Sequence, residues 1–150
     1  MGGIIMSELG QAKTPWHLWV IGVIATIWNA GGVASYLATE TGNLEAMGMT
    51  AEQIAYFSSF PAWAVAFWAL GVWGCFLGSI ALLLRRKFAV WLYGISIVGL
   101  LGTTYYERAV ADIPESMQTH GQLWFAVAIW VITISLFVYA SRMARAGVLR

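Results

Sequence analysis

Four long runs of apolar residues, separated by short polar segments, dominate the chain. They extend over about residues 15–38, 61–84, 88–106 and 123–140, and none contains Lys, Arg, Asp or Glu. A helix needs roughly 20 residues to cross a hydrocarbon core of about 30 Å. These runs are apolar on every side and do not alternate as barrel strands do. The pattern therefore predicts an all-α membrane protein, with residues 1–150 forming a single domain of four transmembrane helices.

The composition agrees with a lipid environment. Hydrophobic residues make up 60% of the chain and charged residues only 10%, whereas soluble domains carry about 25% charged residues. The lipid bilayer is thus the first predicted partner. The net charge is +1, and no basic face of the kind that binds nucleic acid is present in the sequence. We therefore expect no nucleic-acid partner.

The basic residues predict the orientation, because Lys and Arg in short loops are retained on the cytoplasmic side. Seven of the eight fall on one side of the predicted spans: Lys13, Arg85, Arg86, Lys87, Arg142, Arg145 and Arg150. Arg108 lies on the other side, with every acidic residue except Glu8. We expect two hairpins of the same orientation, with both termini in the cytoplasm.

The first outer loop contains a helix signal. Thr50 and Gln53 have the spacing of a capping box, and Ile54, Phe57 and Phe60 recur at helical spacing. We predict a short interfacial helix over Thr50–Ser59 with these three side chains in the lipid. The alternative is an ordered loop packed on the bundle. In the second outer loop, Asp112–Glu115 resembles another helix start.

The two halves of the chain show a weak similarity. Ala64–Trp68 and Ala126–Trp130 are identical at four of five positions, and Trp19-x-x-Gly22 matches Trp91-x-x-Gly94. An ancestral duplication would relate the hairpins by a pseudo-two-fold axis along the membrane normal. Chance is the alternative in a chain rich in Ala, Val and Trp.

Small residues indicate where helices approach closely in a membrane. The candidates are Gly31 and Gly32 in the first span, Gly71, Gly74 and Gly78 in the second, and Gly94, Gly99 and Gly102 in the third. They predict that the second span lies centrally. The fourth span has no glycine, so it faces lipid or docks on a partner.

Polar residues within the spans are candidates for helix contacts or a ligand. Asn29 lies inside the first span, and an amide in hydrocarbon needs a hydrogen-bond partner on another helix, a subunit or a ligand. Thr103 and Thr104, followed by two tyrosines, end the third span at a depth similar to that of Tyr36. These residues could line a shallow outer pocket, or simply anchor the helices at the interface.

The sequence offers little catalytic chemistry. Cys75 is the single cysteine, so no internal disulfide is possible. His17 and His120 fall near opposite faces of the membrane by this topology, and no span contains a carboxylate. We therefore predict neither an enzyme nor a metal site, and no cofactor is assigned. Surfaces rich in the nine Trp residues are candidates for a bound lipid, quinone or pigment.

Several motifs resemble a family of small proteobacterial inner-membrane proteins often labelled "sugar transporter". They comprise Trp28-Asn29 with Gly32 and Tyr36, Met49-Thr50-x-Glu52-Gln53-x-x-Tyr56, Pro61-Ala62-Trp63, Gly74, Gly78, and Leu82-Leu-Leu-Arg85-Arg86-Lys87. The resemblance covers about residues 16–110. It implies a bacterial inner membrane and four spans, and it implies no catalytic residues.

Two functions are compatible with these features. The first is a structural or accessory subunit that docks onto other membrane protein subunits of a larger complex, which the lack of embedded charge favours. The second is a small-solute transporter or channel, which would have to act as a homo-oligomer because four helices enclose little space.

Overall fold

The computed structural model describes residues 12–150, so Glu8 lies outside the described residues. Five α-helices form over this range: α1 (Trp16–Glu40), α2 (Ala51–Ser58), α3 (Ala62–Leu83), α4 (Ala89–Tyr105) and α5 (His120–Arg145). Four of them are long and apolar enough to cross a membrane, namely α1, α3, α5 and α4 with its continuation to Val110. Residues 12–150 contain no strand. The predicted all-α fold with four spans is confirmed.

The helix bounds follow the predicted spans closely, and the largest difference is at the fourth. α5 begins at His120 rather than Leu123, because the Thr119 hydroxyl accepts a hydrogen bond from the Gln122 amide at 3.2 Å. α4 continues beyond its predicted end as a π-helical turn, Tyr106–Val110, in which the Ala111 amide donates to the Tyr106 carbonyl. Such turns are rare and frequently lie at functional sites.

The spanning helices form an antiparallel four-helix bundle. α3 packs most extensively on α4 and then on α1, and α5 packs on α4. Side chains of α1 and α5 close the ring: His17 Nδ1 lies 2.6 Å from the Tyr139 hydroxyl, and the rings of Trp28 and Phe125 are 5.9 Å apart. The central position predicted for the second span agrees with the place of α3 between α1 and α4.

Glycines allow α3 and α4 to touch through their backbones. A Cβ atom on Gly99 would overlap the backbone of Gly71, and one on Gly74 would lie 2.9 Å from the Leu92 carbonyl oxygen. Gly78 lies beneath the ring of Tyr93, and a Cβ atom on Gly78 would lie 3.1 Å from that ring. Gly71, Gly74 and Gly78 are therefore helix contacts, as predicted.

The two glycines of α1 behave differently from those of α3. A Cβ on Gly32 would make an ordinary contact with Val72 at 3.8 Å, whereas one on Gly31 would meet nothing within 4 Å. Gly31 is exposed on the outside of the bundle. The prediction of a helix contact at Gly31 is therefore wrong within this chain.

At the loop end of the bundle, opposite the Arg85–Lys87 turn, α2 packs against the spanning helices. The predicted capping box is present, with the Gln53 amide on the Thr50 hydroxyl and the Gln53 side chain on the Thr50 amide. Phe60 is buried against Tyr106 with ring centres 4.7 Å apart, and the half-buried Phe57 stacks on Trp68. The prediction that Phe57 and Phe60 lie in lipid is wrong, because aromatic partners on the bundle are in reach.

The second outer loop forms less helix than predicted. After the π-helical turn, only a short 3₁₀ turn, Glu115–Met117, is present before α5. The Ser116 hydroxyl donates to the Glu52 carboxylate and so joins the two outer loops. The buried Met117 belongs to the same apolar cluster as Tyr56.

At the basic end, which contains the Arg85–Lys87 turn, the C-terminal residues fold back onto the bundle. Gly147, with φ of +74°, ends α5 in a Schellman motif in which the Val148 amide donates to the Met143 carbonyl. Leu149 is only 1% exposed. The Arg150 amide donates to the Arg85 carbonyl, and the Lys87 amide donates to the Arg150 oxygen. These two backbone hydrogen bonds hold the C-terminal residues against the Arg85–Lys87 turn.

The packing is only partly consistent with the predicted two-fold relation of the hairpins. In each hairpin, the corresponding glycine faces the second helix, with Gly22 against Leu83 and Gly94 against Phe137. The α3–α4 contact is extensive, however, whereas its symmetry equivalent between α5 and α1 rests on few side chains. The bundle therefore departs from two-fold symmetry.

Candidate functional site

A chain of polar side chains crosses the middle of the bundle and joins all four spanning helices. We call it the inner network, and its members are Asn29, Cys75, Ser79, Tyr93, Ser96 and Thr133. Ser79, Ser96 and Thr133 are the buried polar residues in the described part of the chain, and Tyr93 is fully buried. The helices are placed so that each contributes at least one member.

Asn29 provides the α1 contribution. Its Nδ2 donates to the Ser79 hydroxyl at 3.0 Å and, more weakly, to the Cys75 carbonyl at 3.4 Å. Both acceptors belong to α3. The interhelical hydrogen bond expected for an amide in a span is therefore formed within this chain.

Ser79 connects three helices. Its hydroxyl donates to the Cys75 carbonyl one turn earlier in α3 at 2.9 Å, and it lies 3.0 Å from the Tyr93 hydroxyl of α4. Together with the bond from Asn29, these contacts use the donor and the acceptor sites that a serine hydroxyl has. Tyr93 fits here because Gly78 leaves room for its ring.

Cys75 extends the network toward α4 and α5. The Ser96 hydroxyl lies 2.6 Å from the Gly71 carbonyl and 3.0 Å from the Cys75 sulfur, and the Cys75 thiol lies 3.7 Å from the Thr133 hydroxyl. The sulfur is buried among small side chains and has no cysteine partner in the described residues. This environment suits packing and weak hydrogen bonds.

The members of the inner network contact one another through hydrogen bonds. The network contains no carboxylate, histidine or basic side chain, and its polar groups are one amide, one thiol and four hydroxyls. Within residues 12–150, no buried side-chain nitrogen or oxygen lacks a hydrogen-bond partner, and no group of three potential metal ligands occurs. The arrangement can hold four helices in register.

Sequence reasoning identified Asn29 but did not assemble the network. Cys75 and Ser79 lie four residues apart in α3, next to Gly74 and Gly78, and Tyr93 and Ser96 lie three apart in α4. Such spacings put polar residues on the face that the glycines already mark as a helix contact. The position of these polar residues on the glycine-marked faces was therefore the sequence signal that could have predicted the network.

The outer pocket predicted from Tyr36, Thr103 and Thr104 is not formed. Tyr36 instead packs edge-on against Trp68, with ring centres 5.4 Å apart. Thr103 donates to the Gly99 carbonyl of its own helix, and Thr104 accepts a hydrogen bond from the Trp130 indole at 3.2 Å. Tyr36 packs on α3, whereas Thr104 bonds to α5, so these side chains have different neighbours.

A different cavity lies at the loop end, between α4 and α5. We call it the α4–α5 crevice; it is half open to the outside and has a volume of about 220 Å³. From α4 and its π-helical turn it is lined by Thr104, Glu107 and Arg108, and from α5 by Leu123, Ala126, Val127, Trp130 and Val131. Thr104 is the one predicted site residue in its wall.

The aromatic residues of the loop end surround Tyr56 and change its acidity. Tyr56 lies on α2 and is 8% exposed, with Phe57 and Phe60 against its ring. Burial, followed by the negative charge of Glu107, raises the pKa of Tyr56 to about 12. The phenol therefore stays neutral throughout the physiological range.

Comparison of the chain with protein-family models, with curated proteins and with solved structures finds no match. Its function must therefore be argued from the geometry above.

Proposed function

We propose that this protein is a structural or accessory subunit that docks onto a larger complex in the bacterial inner membrane. The observation that carries the proposal is the inner network. Its polar groups face one another across the bundle and are satisfied there, so they are used for holding the helices and are not presented to a passing solute. Polar residues in transmembrane transport pathways face a cavity instead.

The filled interior of the bundle supports the same proposal. Leu18, Leu82 and Tyr93 are fully buried between the helices, and the α3–α4 backbones are in contact at Gly71 and Gly99. A solute pathway needs space lined by polar groups. In a single chain, side chains fill the space between the helices at the depth of these residues, where a solute pathway would have to pass.

The outer surface of α5 supports docking. α5 is the least buried of the four spans. Exposed large apolar side chains cover its length, and those outside the α4–α5 crevice include Ile134 and Val138. A surface of this kind can pack against a helix of another subunit, and packing is what drives helix association in lipid. We propose that this surface is the docking face.

The proposed membrane and orientation rest on charge and resemblance. The Arg85–Lys87 turn and the C-terminal arginines lie together at one end, which the positive-inside rule assigns to the cytoplasm. The motifs of residues 16–110 that resemble those of small proteobacterial inner-membrane proteins favour the bacterial inner membrane.

The test is an affinity purification of the tagged chain from its native membrane in a mild detergent, with the native mass and the co-eluting proteins measured. A stoichiometric membrane partner is the expected result. Recovery of the chain alone as a homo-oligomer would contradict the proposal and favour the alternative, a small-solute transporter. Solute-flux assays in liposomes would then follow.

A matched pair of variants makes the test specific to α5. Ile134 is exposed on α5 and Ile24 is exposed on α1. Ile134→Trp should reduce recovery of the partner, because a larger side chain disturbs a packed interface but is tolerated by lipid. Ile24→Trp should leave recovery unchanged. Equal recovery with both variants would argue against α5 as the docking face.

A further inference from the structure

We infer that the α4–α5 crevice binds a zwitterionic phospholipid whose head group carries a primary ammonium. In this site the ammonium lies against Glu107, the phosphate against Arg108, and one acyl chain along α5. The inference does not depend on the accessory role proposed above, since a lipid can occupy the crevice whether or not a subunit docks on the protein.

The two charged side chains of the crevice supply the complementary charges. Glu107 and Arg108 are neighbours in the π-helical turn, and both line the crevice. Arg108 acts on Glu107 through its charge, but among the described residues no hydrogen bond or ion pair holds the Glu107 carboxylate. Its oxygens remain accessible from the crevice, because no buried side-chain oxygen in residues 12–150 lacks a hydrogen-bond partner. A ligand with a cation next to an anion would satisfy both side chains at once.

The crevice lies at the depth where phospholipid head groups are found. The exposed aromatic residues Tyr105 and Trp124 stand at the same end of the bundle, 62% and 69% exposed. Such rings favour the level of the head groups at the membrane interface. Glu107 and Arg108 lie two and three residues after Tyr105 in the chain, so their charges are close to the same level.

The apolar wall of the crevice accounts for the acyl chain. Below the charged mouth, Val127 and Val131 of α5 face the space, and Ala126 leaves it open. The hydrogen bond between Trp130 and Thr104 closes the inner side with no free indole donor. At about 220 Å³ the crevice is smaller than pockets for drug-sized ligands, which start at roughly 300 Å³. A lipid fits because the rest of the molecule remains in the bilayer.

The chemistry selects among lipids. A primary ammonium donates hydrogen bonds to a carboxylate, whereas a quaternary ammonium has no N–H to donate. A head group with net negative charge would bring its charge close to Glu107 without a cation to balance it. We therefore expect phosphatidylethanolamine to bind more tightly than phosphatidylcholine or phosphatidylglycerol.

The test is native mass spectrometry of the full chain in detergent, titrated with each of these three lipids. We expect selective retention of phosphatidylethanolamine. Glu107→Gln should lower its affinity about tenfold, as expected for the loss of one charge-assisted hydrogen bond. Glu115→Gln, an exposed acidic residue of the same loop that does not line the crevice, should leave the affinity unchanged.

A second variant tests the apolar wall without changing the charge. Ala126→Leu should fill the crevice and reduce phosphatidylethanolamine binding several-fold, while the thermal unfolding of the protein stays the same. Equal binding of the three lipids would overturn the inference. So would wild-type affinity in Glu107→Gln, or a preference for phosphatidylglycerol that depends on Arg108 alone.

Discussion

The Nδ2 atom of Asn29 lies 3.0 Å from the Oγ atom of Ser79, and this contact joins the first and second spanning helices inside the bundle. Ser79 in turn meets Tyr93 of the third. A single amide is thus connected through one hydroxyl to the buried centre of the protein. Hydrogen bonds between transmembrane helices contribute about 0.6–2 kcal/mol each, so their removal should be measurable.

Asn29→Leu is expected to lower the stability of the protein by about 1 kcal/mol. The substitution removes the bond to Ser79, but Ser79 keeps the Cys75 carbonyl and Tyr93 as partners, so no buried hydroxyl is left unsatisfied. Thermal unfolding in detergent, followed by circular dichroism, measures the loss. Ser35→Ala on the same helix serves as the control, and a loss no greater than that of Ser35→Ala would contradict the role of Asn29.

Two glycine substitutions should have opposite effects. Gly99→Ala places a methyl group into the backbone of Gly71, and we expect a loss of about 1–3 kcal/mol from overpacking. Gly31→Ala meets nothing within 4 Å and should stabilise the helix by up to about 1 kcal/mol, because alanine is the better helix former. The unfolding midpoints of the two variants and the wild type, measured in one detergent, test both expectations. A neutral Gly99→Ala would mean that the two backbones are farther apart.

Leu149→Ala should destabilise the basic end. The Leu149 side chain is 1% exposed and belongs to the main core cluster with Leu18 and Leu82. Truncation of a buried leucine costs about 2–5 kcal/mol. Leu84→Ala is the control, since Leu84 is 66% exposed at the same end. If the two variants unfold alike, the C-terminal residues do not contribute to the core.

The acidity of Tyr56 predicts a loss of stability at high pH. Its pKa is raised from 10.0 to about 12, mainly by burial and then by Glu107. The unfolded chain releases this proton near pH 10 and the folded protein only near pH 12. The stabilising contribution is therefore complete below pH 10 and decreases between pH 10 and 12.

Tyr56→Phe provides the comparison for this titration. The variant lacks the phenol, so its stability should fall less than that of the wild type between pH 10 and 12. Chemical unfolding of both proteins across this range, in one detergent, measures the difference. Parallel curves would show that the pKa of Tyr56 is the same in the folded and the unfolded protein and would contradict the prediction.

The spans and some contacts could be predicted because their signals are local. The bounds of each span can be read from its own apolar run. The capping box of Thr50 and Gln53 is likewise formed by residues only three apart. Glycines such as Gly74 indicate close approach without naming the partner. Nothing local to Gly74 specifies that Leu92 and Ser96 lie opposite it.

The features that could not be predicted depend on distant parts of the chain. Phe57 has the same helical spacing whether it faces lipid or Trp68, and only the position of α3 decides between them. The α4–α5 crevice likewise depends on the π-helical turn Tyr106–Val110 and on the packing of α5 against it. Thr104 was named for its polarity alone, and its partner Trp130 lies 26 residues further along the chain.

The turn at Arg85 has a consequence for the order in which the protein assembles. Arg85 adopts a left-handed backbone with φ of 55°, which costs a non-glycine residue about 1–2 kcal/mol. Its guanidinium donates to Thr14, and its carbonyl accepts from Arg150. During synthesis, the first of these partners exists before the turn is made and the second only after α5. When α3 and α4 form their hairpin, Arg85 can therefore already bond to Thr14. The hydrogen bond from the Arg150 amide to the Arg85 carbonyl forms only after α5 has folded.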